Sequence, residues 1–433
     1  MAYSLKKSVS ALLILLLASA MTGCDVMPSA SSAEENRRVS PPVSSAAESS
    51  AAAPAPQSSQ PVSSEETIRA ESMTLEQKIG QMFFLSFRKG SSGEPILACD
   101  ESVSQTLRNV QPGGIILFGE NIRTIEQVRS LIGEMQSECS IPPFIGVDQE
   151  GGSVQRVTKT EQIPASVIPP MRSAARTGNL PLARRVGSVI AEELSVFGFN
   201  LDFAPDCDVL TNPKNSSIGT RAFSDDAQTV AAFSTAVAEG IRSGGIIPVC
   251  KHFPGLGGAS ADTHKGYSEV LQSLDGLRKT ELVPFRAQID AGAEMIMVGH
   301  ISLPNVTGDG TPASLSPVVI TGLLREELGF DGVVITDSLS MGAITQDYPS
   351  GRAAVLAVKA GADMLLIPED ITTAFQALLK SVKSGEIPES RIDASVARIL
   401  ALKKKYHLFT PRQPGDVSLL GSEEHSAILR QIG

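Results

Sequence analysis

Eight short apolar runs dominate the chain between residues 82 and 368, and they constrain the fold more than any other feature. "MFFLSF" starts at Met82, "GGIILF" at Gly113, "PFIGVD" at Pro143 and "NLDFAP" at Asn200. "GIIPVC" follows at Gly245, "EMIMVG" at Glu294, "GVVITD" at Gly332 and "DMLLIP" at Asp363. Each is too short for a helix and apolar on consecutive positions, so both faces must be buried. Helical stretches lie between several of them: "TIEQVRSLIGEMQ", "DAQTVAAFSTAVAEGIRSG", "LDGLRKTELVPFRAQIDAG", "PVVITGLLREELGF" and "RAAVLAVKAGA". Strands buried on both faces and alternating with helices form a parallel sheet. Eight such units predict an α/β fold, a (β/α)8 TIM-type barrel. An open doubly wound sheet is the alternative. No G-x-G-x-x-G follows any run, since "GLGGAS" has the wrong glycine spacing for a dinucleotide turn.

Polar residues cluster where the apolar runs end. Asp148 closes the third run, Asp202 and Asp206 lie at the fourth, and Lys251 and His252 close the fifth. His300 follows the sixth and Asp337 closes the seventh. In a barrel these side chains share the mouth at the C-terminal ends of the strands, where barrel enzymes place their chemistry.

The segments outside the repeat read differently. In residues 1–24, Lys6 and Lys7 precede the apolar "ALLILLLASAM", the pattern of a secretion signal. "MTGC" resembles a bacterial lipobox ending in Cys24, although an ordinary cleaved signal with an incidental cysteine has the same start. Residues 25–67 are rich in Ser, Ala and Pro and too poor in large apolar residues to offset ordering entropy, so a disordered tether is expected. The barrel is assigned to residues 68–410 and a C-terminal tail to 411–433; His407 and His425, in the polar C-terminal region, look incidental. Cys99, Cys139, Cys207 and Cys250 show no C-x-x-C spacing, which disfavours a zinc ribbon. Cys250 reads as a buried small residue, while pairing of Cys99 with Cys139 stays open. The net charge of −10 disfavours a nucleic-acid partner.

Six motifs then occur in a telling order: "DQEGGSVQR", "NLDFAPDCDV", "IGTRAFSDD", "KHFPGLGG", "DTH" and "ITDSLSM". Together they resemble glycoside hydrolase family 3 over residues 68–410, and most of all its bacterial beta-N-acetylhexosaminidases. The resemblance implies that Asp337 is a nucleophile and that Asp262 and His264 form a dyad with His264 as acid/base. It implies that Asp148, Arg156, Arg221, Lys251 and His252 hold the sugar hydroxyls. It further implies a single catalytic domain without the second α/β sandwich domain that supplies the acid/base in many beta-glucosidases. Leu256 stands where the family has a second histidine, Ser153 where it has an arginine, and a proline common after the dyad is absent from "KGYSEV".

The residue types suit that chemistry. Retaining hydrolysis needs a carboxylate to attack the anomeric carbon and a proton donor for the leaving oxygen. A histidine, with an unperturbed pKa of about 6.5, needs little tuning to be that donor, and Asp262 can orient it. The resulting expectation is a retaining hydrolase of terminal beta-linked N-acetylglucosamine, acting on cell-wall (peptidoglycan) fragments. It would be a monomer, lipid-anchored through Cys24 outside the cytoplasm, with no cofactor and no metal. Rival readings are a phosphorylase, in which phosphate replaces water, a beta-glucosidase, and a non-catalytic sugar-binding lipoprotein.

Overall fold

The computed structural model describes residues 70–158, 160, 162–260, 266, 268–410 and 412–432. Residues 1–69, with the expected signal, Cys24 and the whole of the tether, lie outside the described residues.

All eight apolar runs form strands: β1 Phe83–Ser86, β2 Gly114–Ile116, β3 Phe144–Val147, β4 Leu201–Asp202, β5 Ile247–Phe253, β6 Met295–Val298, β7 Val333–Thr336 and β8 Leu365–Leu366. They lie in one parallel sheet of order β7-β6-β5-β4-β3-β2-β1-β8. A parallel bridge between Ile335 and Met364 brings β7 against β8. The sheet is therefore a nearly closed barrel, not an open doubly wound one.

The barrel interior fills by pairing large residues with absent ones. The Phe84 and Phe203 rings meet edge to face at 5.3 Å. A Cβ on Gly114 would lie 2.4 Å from the Phe84 ring, and one on Gly146 would lie 2.8 Å from Phe203. Glycine on β2 and β3 thus makes room for phenylalanine on β1 and after β4, a close-packed arrangement that tolerates little change of volume.

Helices cover the outside, and their ends follow ordinary capping chemistry. Asp226 accepts from the Thr229 N–H at 2.8 Å and starts the helix Ala227–Ser243. Gly198, at φ 95°, ends Leu180–Phe197. The stretch read as one helix before β6 is two, Leu274–Lys279 and Leu282–Asp290. The break leaves Pro284 in the first turn of the second helix, where its missing N–H costs nothing. Among the described residues, no helix is long and apolar enough to cross a membrane.

Two buried carboxylates staple the frame. Asp363 precedes β8 and is fully buried. It accepts from the Val334 N–H at 3.0 Å, from Ser395 Oγ at 2.7 Å and from Arg325, with Arg391 and Arg398 at 3.5 Å. It joins the two strands of the barrel seam to the helices outside them. Glu193, on Leu180–Phe197, accepts from the N–H groups of Ser166 (2.9 Å) and Gly421 (3.0 Å), and His425 Nδ1 lies 3.0 Å from it. Glu192 lies 2.9 Å from the other ring nitrogen. His425, which looked incidental in the sequence, is thus a buried residue of the helix Glu423–Leu429, docked onto the barrel. Cys99, Cys139, Cys207 and Cys250 are free thiols, and burial pushes the Cys139 thiol up to about 12.

Candidate active site

The C-terminal ends of the barrel strands and the loops that follow them surround a cavity of about 700 Å³. Asp148, Arg156, Arg221, Lys251, His252 and Asp337, six of the residues predicted from sequence, all line it. Asp262 and His264 lie outside the described residues.

The loop after β3 brings two carboxylates into the mouth. Gly151 and Gly152, at φ 100° and 57°, turn the chain where a Cβ on Gly151 would lie 2.7 Å from the Pro169 carbonyl oxygen. The Gln149 side chain accepts from the Arg156 N–H at 2.7 Å, closing the loop. Asp148 and Glu150 then face Lys251, whose Nζ sits 2.7 Å from Asp148 Oδ1 and 2.6 Å from Glu150 Oε1. Arg221 donates to Glu150 twice, from Nε at 2.8 Å and Nη2 at 2.9 Å. Arg156 Nη2 lies 3.6 Å from Asp148 Oδ2.

Glu150 is the hub of this network, although it was not among the site residues predicted from sequence. It is 2 % exposed. Burial pushes its carboxyl up, but Arg221 and Lys251 more than offset this and hold it well below the usual range. Burial pulls Lys251 down, while Asp148 and Glu150 outweigh that and keep it a cation. The only hint in the sequence was an acid placed directly before two glycines.

His252 is set by a second acid. Its Nδ1 lies 2.7 Å from Asp208 Oδ2, and both residues are buried. Burial, then the Arg221 guanidinium, pull the ring down to about 4, so it is neutral near pH 7. Burial raises Asp208 to about 6. Above that pH the carboxylate accepts the Nδ1 proton, leaving Nε2 as an acceptor that points toward Arg221 Nη2 at 3.5 Å. No spacing rule links positions 208 and 252.

Asp202 and Asp206 support the frame. Asp202 Oδ1 accepts from the Gln149 N–H at 2.9 Å, and Asp206 Oδ1 from the Asp208 N–H at 2.8 Å. Burial pushes both carboxyls well up. Asp206, Asp208 and His252 offer three donor atoms within 4.8 Å of one another, the makings of a cation site. The Arg221 guanidinium already stands there, 3.5 Å from Asp206 Oδ2 and 3.5 Å from His252 Nε2. The cluster is therefore an acid–arginine network.

Asp337 is the first residue beyond β7. Its N–H donates to the Val298 carbonyl at 2.8 Å, and its Oδ1 accepts from the Ser338 N–H at 2.7 Å. The opposite rim carries an aromatic stack: Arg88 lies 4.6 Å and Arg156 5.9 Å from the Phe118 ring centroid, and Arg88 also pairs with Glu120. The floor thus holds fixed donors and acceptors for hydroxyl groups beside the Asp337 carboxylate, a site fit for a neutral polyol rather than for an apolar ligand.

A barrel with a carboxylate at the end of β7 and this polar floor is the frame of a glycoside hydrolase. Residues 74–402 match the family described as the glycosyl hydrolase family 3 N-terminal domain, and the chain belongs to that family. Beta-hexosaminidase A of Pseudoalteromonas piscicida is 30 % identical over 415 residues, spanning 86 % of this chain and 68 % of that one. Beta-hexosaminidase LpqI of Mycobacterium tuberculosis is 31 % identical over 334 residues, 75 % of this chain and 82 % of that one. A family 3 beta-N-acetylglucosaminidase structure from Paenibacillus sp. str. FPU-7 superposes with a TM-score of 0.77 at 36 % identity, over 83 % of this chain and 68 % of that one.

Proposed function

We propose that the protein removes terminal beta-linked N-acetylglucosamine from glycosides with retention of configuration, its natural substrates being cell-wall fragments. The observation that carries this is Asp337, presented at the end of β7 into a cavity whose floor is the Asp148–Glu150–Arg156–Arg221–Lys251–His252 network. The relatives named above, called hexosaminidases and an N-acetylglucosaminidase, support the choice of sugar.

In the reaction, an Asp337 oxygen attacks the anomeric carbon as the bond to the aglycone oxygen breaks. His264, oriented by Asp262, gives its proton to that oxygen. Water then attacks the glycosyl ester, His264 takes up its proton, and Asp337 leaves as a carboxylate. The assignment of the dyad rests on the "DTH" motif. The apolar "ALLILLLASAM" run, Cys24 and the Ser/Ala/Pro segment support a lipid-anchored form outside the cytoplasm.

The test compares an aryl beta-N-acetylglucosaminide with an aryl beta-glucoside, with Asp337→Ala as the blank. The N-acetylglucosaminide should be preferred, and Asp337→Ala should lose several orders of magnitude in kcat. A 5-fluoro analogue that keeps the acetamido group should label Asp337, and a label on another carboxylate overturns the assignment. His264→Ala should lose about 100- to 10,000-fold on poor leaving groups, with turnover of activated glycosides restored by azide. Sugar 1-phosphate formed on adding phosphate would make the protein a phosphorylase instead.

A further inference from the structure

We propose that His300 is a positioning residue for this reaction: from the end of β6 it fixes the turn that presents Asp337. The inference rests on Asp337 being the nucleophile.

The peptide between Ser338 and Leu339 is held from both neighbouring strands. On the β8 side, the Leu339 N–H donates to the Leu366 carbonyl at 2.9 Å. On the β6 side, the Ser338 carbonyl lies 2.8 Å from His300 Nε2. A carbonyl oxygen carries no proton, so Nε2 must be the donor. The other ring nitrogen, Nδ1, lies 2.7 Å from Ser314 Oγ. In a neutral ring the serine hydroxyl therefore donates to Nδ1 and fixes the Nε2–H tautomer. The ring is 1 % exposed, and both nitrogens are engaged within the protein rather than directed at a sugar.

The pin acts on the carboxylate through one residue. Ser338 supplies the N–H that holds Asp337 Oδ1, and its carbonyl is the atom His300 holds. Releasing that carbonyl frees the Ser338 backbone to rotate, which swings the N–H away from the attacking carboxylate. Ser314 is itself anchored, its N–H donating to the Gly299 carbonyl at 3.1 Å, and Gly299 donates to the Phe253 carbonyl at 2.9 Å. The device therefore references the nucleophile's turn to β5, β6 and β8 at once. A misplacement of about 1 Å of a reacting group costs on the order of 100-fold in rate, so a residue that touches no substrate can govern kcat.

The experiment compares His300→Leu, which keeps bulk without a donor, with His300→Gln, whose amide N–H can take the place of Nε2–H, and with Ser314→Ala. Four quantities are read: kcat, KM, the rate of labelling by the 5-fluoro analogue, and Tm. His300→Leu should lose about 10- to 100-fold in kcat and in labelling rate, with KM changed by less than about threefold. His300→Gln should recover most of that loss, and Ser314→Ala should show a smaller loss of the same kind. A raised KM at unchanged kcat would make His300 a sugar contact and overturn the proposal. Equal losses in Leu and Gln that track Tm would reduce it to a structural residue, and full activity in His300→Leu would overturn it outright. A label on a carboxylate other than Asp337 in the unmodified protein removes the nucleophile reading itself. That outcome is read before any variant is made, so the two failures are distinct.

Discussion

Replacing Glu150 by glutamine keeps its shape and removes its charge. Glu150 neutralises two buried cations, Arg221 through two hydrogen bonds and Lys251 through one of 2.6 Å. At an effective dielectric of about 20 and charge centres about 4 Å apart, each attraction is worth about 4 kcal/mol. Against this stands the desolvation of the carboxylate, which the glutamine no longer suffers. Removing one partner of a buried pair therefore costs about 3–5 kcal/mol net, because the cations left behind stay desolvated. At about 2.1 cal/mol/K per residue over roughly 360 residues, the unfolding entropy is about 0.8 kcal/mol/K, so Tm should fall by about 4–6 °C. Arg221 and Lys251 also lose the anion that aims them at the cavity. The loss of one well-placed contact, about 1.4 kcal/mol, is tenfold in affinity, so KM for an aryl beta-N-acetylglucosaminide should rise by at least about tenfold. Thermal unfolding followed by circular dichroism and initial-rate kinetics at pH 7 read both effects. In a double-mutant cycle, Glu150→Gln and Arg221→Gln should be strongly non-additive. A Tm within about 1 °C of the parent, or a KM within about twofold, would refute the view that Glu150 anchors both cations.

Two further predictions concern pH. Burial raises the Asp202 carboxyl well above its ordinary value near 3.8. Its contribution to stability is thus full below about pH 4 and is lost as pH rises toward the folded pKa, since the unfolded chain ionises first. Asp202→Asn should match the parent in Tm near pH 4 and exceed it increasingly at higher pH, and a difference that does not grow with pH would contradict the buried neutral acid. His425 behaves oppositely in charge: burial pulls its pKa down, but Glu192 and Glu193 outweigh this and leave it raised above 6.5. Its stabilisation is full below about pH 6.5 and fades as pH rises through the folded pKa. His425→Gln should cost stability at pH 5.5 and progressively less above pH 8, and a pH-independent difference in Tm would refute the charged clasp.

The frame was legible because continuous burial leaves a plain signature. Each strand except β5 sits inside an apolar run, β5 running on past its run through Lys251 and His252 to Phe253, and even β4 and β8, with two paired residues each, were marked by the runs around them. The helix break at Thr280 was not marked, since both halves keep an apolar face and only Pro284 hinted at a new start. In the site, residues at strand ends were readable because position along the strand fixes where they point. Glu150 and Asp208 were not, because their partners are 71 and 44 residues away and pairing across loops leaves no periodicity. His425 hid for a related reason. A polar helix that buries one histidine between two glutamates of another helix looks, in sequence, like a solvated end.

The shared carboxylate at position 150 has an evolutionary consequence. Arg221 and Lys251 come from different parts of the chain, yet both are held by the same carboxylate, Arg221 by its two oxygens and Lys251 by Oε1. A substitution at any one of the three changes the environment of the other two, so the cavity floor can diverge only by concerted change and single steps there are mostly losses. The rim is wired differently: Arg88 and Glu120 answer chiefly to each other, and Arg123 donates to the main-chain carbonyls of Gly119 and Ile122. Descendants of this chain would therefore explore new aglycones at the rim one residue at a time while the floor stayed fixed, and a saturation library at positions 88, 120 and 123 is where altered specificity should be recovered from active clones.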